Sequence, residues 1–308
     1  MTRFTLSLTD TEQKYVTFPF YKNNMPLTAS RAPSGAPVCG MTVKAAGSMR
    51  FRWAENNPGR EKILSEIAGH SAGGKGTLAC MQNPLTPVSL ELIHSKSVFD
   101  LRDGNETYRL QGDGMITKNP FLMPVVTVAD CMPLYLYDSL SGVFGLVHSG
   151  WKGTGIAGQA LDLAERNYGA RARDFSIVIG PHIRDCCYIV NEERAKYFTD
   201  NFGSDCVSPL EEGGSSYAGG RGLPVTWNNG SGKLFRLSLE KANLNALFGA
   251  GVREENIAVC NDCTCCNELL GSNRRETADF LLKNPEKAGD KDALGRCFTV
   301  QAAFIGLI

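Results

Sequence analysis

Apolar residues in the middle third of the chain fall into long runs rather than single stripes. Pro124-Val125-Val126-Thr127-Val128-Ala129-Asp130-Cys131 continues through Leu134-Tyr135-Leu136-Tyr137, and a Ser139-Leu140-Ser141-Gly142 turn separates this from Val143-Phe144-Gly145-Leu146-Val147. Such runs, bounded by turn residues, predict two strands buried on both faces. The period then changes. Ile156 to Ala164 has helical spacing, Phe175 to Ile179 is strand-like, and helical spacing returns over Glu192 to Phe202 and Leu239 to Phe248. Ile257-Ala258-Val259 and Phe298 to Ile308 predict further strands; so do Met115-Ile116-Thr117, after a Gly112-Asp113-Gly114 turn, and the alternating Leu90-Glu91-Leu92-Ile93-His94. Strands alternating with helices predict an α/β (α+β) fold, a single domain over 1–308 with a mixed sheet layered by helices. Glycine and serine accumulate between Val207 and Lys233, which marks a flexible surface insertion.

Composition narrows the partners. With 32 basic and 32 acidic residues the formal net charge is zero, so there is no electrostatic footprint for nucleic acid or anionic lipid, and small molecules are the expected partners. No segment approaches the roughly 20 apolar residues that span a bilayer, and the start of the chain turns polar before any signal-like apolar stretch; the expected location is cytoplasmic. Eleven cysteines are many for that compartment, where they read as buried hydrophobes, metal ligands or reactive thiols before disulfides.

Only four histidines are present. His148, in Val147-His148-Ser149-Gly150-Trp151-Lys152-Gly153, stands where a buried strand gives way to a glycine-rich turn and a helix, the kind of strand end at which α/β proteins build sites. Cys131 closes the preceding strand, so neighbouring strands would bring thiol and imidazole to one sheet edge. His94 ends another short apolar run. Two imidazoles and a thiolate suit Zn²⁺ and leave a fourth coordination position open, which points to catalysis. Taken singly, such a histidine is more often a hydrogen-bonded core or surface residue and such a cysteine a buried small hydrophobe, and their separation in sequence matches no local zinc signature.

Four ordered motifs add to this reading: Thr127-Val128-Ala129-Asp130-Cys131-Met132-Pro133; His148-Ser149-Gly150-Trp151-Lys152-Gly153; Ile179-Gly180-Pro181-His182-Ile183 with Cys186-Cys187-Tyr188; and Cys263-Thr264 with Ser272-Asn273-Arg274-Arg275. Together, from about His94 onward, they resemble the polyphenol oxidase (laccase-like) family, whose members are also called peptidoglycan-editing factors and purine nucleoside phosphorylases. Leu92 and Ser95 replace the family's Gln and Gly around His94, and Lys152 replaces an Arg. The resemblance implies the family's α-β-α sandwich and a zinc ion on His94, Cys131 and His148. It also implies phosphorolysis of adenosine, inosine, guanosine or methylthioadenosine to base and ribose 1-phosphate, with adenosine deamination.

Within that implied reaction, Lys152, Ser272, Arg274 and Arg275 are expected at the substrate or phosphate, since cations hold an attacking phosphate in line. Asp130, beside a ligand, is expected to move a proton or orient an imidazole, or else to cap a turn. Alternatives of other classes are a copper-dependent polyphenol oxidase, disfavoured by four histidines; a metal-free Cys131/His148 thiol hydrolase or deamidase; and a factor that edits peptidoglycan precursors. Cys260, Cys263, Cys265 and Cys266 contain a Cys-x-x-Cys spacing twice, which suits a zinc knuckle or a redox pair. The family's counterparts of Cys187 and Cys263 do not hold the catalytic zinc, so buried thiols rather than a second metal site are expected there, and neither His70 nor His182 is expected to be a ligand.

Overall fold

The computed structural model of the chain describes residues 1–7, 12–27, 35–69, 84–210 and 233–307. Its strands, in chain order, are β1 (Thr2–Phe4), β2 (Tyr15–Phe18), β3 (Tyr21–Lys22), β4 (Met25–Pro26), β5 (Val38–Thr42), β6 (Thr86–Ser89), β7 (Val98–Leu101), β8 (Gly114–Thr117), β9 (Leu122–Val128), β10 (Met132–Asp138), β11 (Phe144–Ser149), β12 (Phe175–Ile179), β13 (Ile189–Asn191), β14 (Val207–Pro209), β15 (Leu234–Leu237), β16 (Ile257–Cys260) and β17 (Gln301–Gly306). The helices are α1 (Pro58–Gly69), α2 (Ile156–Tyr168), α3 (Glu192–Phe202), α4 (Leu239–Gly249), α5 (Asn273–Lys283) and α6 (Lys291–Arg296).

Seven strands form one mixed sheet in the order β1-β16-β12-β10-β11-β8-β7, and five form another in the order β2-β5-β17-β9-β6. They stack face to face, as the alternation along β10 shows. Leu134 and Leu136 point to a cluster with Ile156, Ala160, Phe198 and Leu247, which places α2, α3 and α4 over the outer face of the larger sheet. Tyr135 and Tyr137 point the other way, among Val16, Phe18, Met41 and Ala303 of the smaller sheet. The Tyr135 hydroxyl, wholly buried, donates to the Gly40 carbonyl at 2.8 Å, so the ring's burial leaves no polar atom unmet. On the far face of the smaller sheet, α1 lays Ile63, Leu64 and Ile67 against Val125 and Phe304. Because both sheets are covered twice, their central strands read as continuous apolar runs.

The helices predicted from periodicity lie where expected, α3 over Glu192–Phe202 and α4 over Leu239–Gly249. Each starts at a side-chain cap: Asn191 accepts from the Arg194 amide and Ser238 from the Lys241 amide. The run from Pro124 to Tyr137 is instead two strands in different sheets. Asp130 adopts a left-handed φ of 80° and turns the chain between them, so β9 pairs with β17 and β6 while β10 pairs with β11 and β12. Apolar periodicity does not register a one-residue break of this kind. Likewise Leu90 to His94 is not a strand: pairing with β9 ends at Ser89, and His94 has a φ of 58°.

In the predicted insertion, Val207–Pro209 is the strand β14, paired with β15, and residues 211–232 lie outside the described residues, as does His70. No helix among the described residues is long and apolar enough to cross a membrane.

Candidate metal centre

Antiparallel pairing of β10 with β11 sets Met132 opposite Ser149 and Pro133 opposite His148. Cys131, one residue before β10, therefore arrives beside His148 at the end of β11. His94 enters from the loop after β6. The donor atoms of His94, Cys131 and His148 all lie within 4.8 Å of one another, and the imidazoles meet edge to face with centroids 5.1 Å apart. The strand-neighbour argument for Cys131 and His148 holds, and the residues implied by the family resemblance are gathered at one place.

A fourth residue organises these and was read from sequence only as part of a turn. Asp113, fully buried before β8, faces His148 Nδ1 across 2.9 Å through Oδ1, and the same oxygen accepts the His94 backbone amide at 3.0 Å. Its other oxygen accepts the Ser95 amide at 2.6 Å and the Ser95 hydroxyl at 2.8 Å. One carboxylate thus fixes both the loop that carries His94 and the ring of His148. With Nδ1 held in this way, His148 Nε2 is left to act as the donor, the usual arrangement of a metal-binding histidine. The available signal was an acidic residue enclosed by glycines directly before a strand that pairs with the strand of His148.

Close packing explains a glycine in the His148-Ser149-Gly150 motif. A Cβ on Gly150 would lie 2.9 Å from Cys131 Sγ, 3.6 Å from His94 Cδ2 and 3.8 Å from His148 Cε1, so any side chain there would enter the space between the donors. A hollow kept clear of side chains and faced by two imidazoles and a thiol fits a metal ion of zinc's size and ligand preference. Electrostatics agree: burial raises the Cys131 thiol, but the charge and hydrogen bonding of His148, with a hydrogen bond from His94, outweigh it and bring the thiol down to about 6. In turn, burial lowers His148, while the Cys131 charge and Asp113 hydrogen bond raise it to about 10. The two groups favour a thiolate beside a positive partner, the situation a bound cation reproduces.

A cleft of about 200 Å³ opens above the donors, lined by Arg50, Phe51, Arg52, Asn273 and Phe298 as well as His94, Cys131 and His148. Among the expected substrate residues, the structure places Ser272 and Arg275 in the scaffold. Ser272 is wholly buried and caps α5 by accepting the Arg275 amide. Arg275 donates to the carbonyls of Thr264, Cys265, Asn267 and Leu270, which locks the turn after β16. Arg274 is buried over the Tyr188 ring and donates to the Ile189 carbonyl, and Lys152 is exposed beside Trp151; neither lines the cleft. The Asp130 oxygens accept the Thr264 hydroxyl and the Arg274 amide at the start of α5, both at 2.6 Å, and burial raises its carboxyl. The turn-capping alternative describes these contacts. The cleft cations are Arg50 and Arg52, from the N-terminal ninety residues, in which sequence reasoning identified no site.

Two histidines and one cysteine at the floor of a cleft, carried on stacked mixed sheets, make a candidate metal centre in a protein of the α/β class. Residues 75–280 match the multi-copper polyphenol oxidoreductase laccase family, and the chain belongs to that family. It is 32% identical over 263 residues to a Geobacillus stearothermophilus protein named purine nucleoside phosphorylase YlmD, covering 81% of this chain and 89% of that one. A Borreliella burgdorferi protein named purine nucleoside phosphorylase is 34% identical over 197 residues, 63% of this chain and 76% of its own. The crystal structure of YlmD from Geobacillus stearothermophilus superposes with a TM-score of 0.64 at 24% identity over 90% of this chain and 94% of its own, which shows the shared fold.

Proposed function

We propose that the chain is a zinc-dependent purine nucleoside phosphorylase that converts adenosine, inosine, guanosine or methylthioadenosine, with phosphate, to free base and the corresponding ribose 1-phosphate, and that it also deaminates adenosine. The observation that carries this reading is the junction of the His94, Cys131 and His148 donors with a cleft containing both arginines and aromatic walls. When bound, zinc supplies Lewis acidity at the cleft floor. The chain's own residues supply the rest. Arg50 and Arg52 offer guanidinium groups to a phosphate dianion, and Asn273, at the start of α5, lines the same wall. Phe51 and Phe298 provide apolar surface for a purine. In phosphorolysis a phosphate oxygen bonds to C1′ as the glycosidic C–N bond breaks, its electrons leave with the base, and the base takes up the proton that the phosphate gives up; fixed cations align the nucleophile and cost no reorganisation.

The relatives' names support the phosphorolysis, and the donor set supports zinc over copper, since a multicopper oxidase needs more imidazoles than the two that meet here. The test is metal content after purification without added metal, together with phosphate-dependent adenine release from adenosine, for wild type and Cys131→Ala. The expected result is bound zinc and phosphate-dependent turnover, with turnover abolished in the variant. Copper in place of zinc, or adenine release that does not need phosphate, would sink the proposal.

A second reading is favoured by the low Cys131 thiol beside a positively charged His148: without metal the pair has the make-up of a nucleophilic thiol hydrolase. Activity that survives complete chelation and is destroyed by thiol alkylation would select it.

A further inference from the structure

Away from the cleft, two turns bring four cysteines together. Cys186 and Cys187 lie on the turn after β12, where the Cys187 amide donates to the Arg184 carbonyl at 2.9 Å. Cys263 and Cys266 lie on the turn after β16, where the Cys266 amide donates to the Cys263 carbonyl at 3.1 Å. Parallel pairing of β12 with β16 sets the turns side by side, and a bridge between His182 and Cys263 joins them. The four sulfurs all lie within 4.8 Å of one another. Three of the separations are 3.8 Å for Cys186 to Cys187, 3.7 Å for Cys186 to Cys266 and 3.3 Å for Cys187 to Cys266. Zinc bound tetrahedrally to four thiolates at about 2.3 Å requires sulfurs about 3.8 Å apart, so the cluster already approximates the edges of that tetrahedron.

A further feature belongs to such sites. The Arg184 backbone amide points at Cys263 Sγ across 3.4 Å, a donor to sulfur that stabilises a thiolate rather than a thiol. Spacing agrees as well: Cys263-x-x-Cys266 on one tight turn is the half-site of a zinc knuckle, and the adjacent pair Cys186-Cys187 supplies the other two sulfurs across space instead of along the sequence.

We infer that Cys186, Cys187, Cys263 and Cys266 form a second metal site, a closed tetrahedral thiolate site for zinc with a structural role. It departs from the expectation of buried thiols there and does not depend on the nucleoside reading of the cleft. Its role follows from what the turn after β16 carries. Thr264, between two ligands, donates its hydroxyl to Asp130, the neighbour of Cys131, and gives its carbonyl to Arg275. Fastening that turn to the turn after β12 holds the wall behind the cleft at a fixed distance from the catalytic donors.

The two sites are separated by working in the Cys131→Ala background, which removes a donor from the cleft site only. Full-length protein produced with zinc should retain about one tightly held zinc per chain in Cys131→Ala, and lose it on adding Cys266→Ser or, separately, Cys186→Ser. Cobalt substituted into Cys131→Ala should give the intense absorption of tetrahedral thiolate coordination, a reading that requires no change to the cluster. Zinc-free Cys131→Ala with a featureless cobalt spectrum would overturn the site. So would a non-reducing mass lighter by two hydrogens that maps to a disulfide between Cys187 and Cys266.

Discussion

Asp113 and His148 share a buried contact of 2.9 Å between Oδ1 and Nδ1, and the same Asp113 oxygen accepts the His94 backbone amide. Two candidate ligands that are far apart in sequence are therefore positioned by one carboxylate. Asp113→Asn keeps the shape but replaces one accepting oxygen by an NH₂ group, which must face either the His148 ring or the Ser95 donors. Loss of such a supporting carboxylate typically weakens metal binding by about 10–100-fold. Competition with a chelator of known affinity should show a loss of that order in folded protein. Unchanged affinity would mean that Asp113 only shapes the loop.

Gly150 offers a steric test. Gly150→Ala puts a methyl group 2.9 Å from Cys131 Sγ, 3.6 Å from the His94 ring and 3.8 Å from the His148 ring, so its three nearest neighbours are all candidate ligands. Overpacking at one site costs about 1–3 kcal/mol, which the fold survives if its stability is ordinary. Metal held at the cleft site, read as the part that Cys131→Ala also loses, should fall severalfold or more, while far-ultraviolet circular dichroism keeps the wild-type shape. A variant that binds metal at full stoichiometry would show that the hollow is larger than these distances imply.

Much of the fold was legible because burial is periodic. β10 and β12 alternate between two apolar cores, and α3 and α4 carry their caps in the sequence at Asn191 and Ser238. What periodicity missed is set by single residues. Asp130 in a left-handed conformation passes the chain from one sheet to the other in the middle of an apolar run, and His94 lies in a loop whose conformation is imposed by Asp113, nineteen positions away. Of the site, Cys131 and His148 were legible from adjacent strand ends, whereas His94 was singled out at the end of an expected strand that the chain forms as a loop. Asp113 looked like a turn residue because a buried acceptor and an exposed turn former are the same residue type. Arg275 looked like a phosphate ligand, although its donors close a turn; a guanidinium's partners are a matter of tertiary placement, which neither composition nor spacing encodes.

Arg50 and Arg52 separate the phosphate role from the metal role. Both line the cleft; Arg50 stacks on the Phe298 ring at 5.3 Å, and Arg52 pairs with Glu91 at 3.2 Å. A hydrogen bond to a charged group contributes about 1.5–3 kcal/mol, and 1.4 kcal/mol is a factor of ten. Arg50→Ala and Arg52→Ala should each raise the KM for phosphate by roughly tenfold or more, with metal content unchanged. If phosphate KM is unaffected in both while nucleoside KM rises, the arginines serve the nucleoside and the phosphate site lies elsewhere.

Glu276 gives a prediction for pH. Its carboxylate pairs with Lys44 at 3.0 Å and with Arg275 at 3.2 Å and accepts the Thr299 amide, which ties α5, and with it the cleft wall at Asn273, to the segment that leads into β17. Burial alone would raise this carboxyl, but the hydrogen bonds from Thr299 and Lys44 outweigh it and hold the group below the ordinary glutamate range. The folded state therefore binds the proton less readily than the unfolded chain, whose glutamates titrate near about 4.3. The stabilisation is fully present above that value and is lost as pH falls through the lower, folded-state value. Glu276→Gln should cost about 1–3 kcal/mol at pH 7, where an uncharged amide cannot replace the carboxylate's contacts, and the difference from wild type should shrink as the pH drops below about 4. Urea unfolding of both proteins at neutral and acidic pH measures this; a gap that stays constant across the series would assign the acid sensitivity of the fold to other carboxylates.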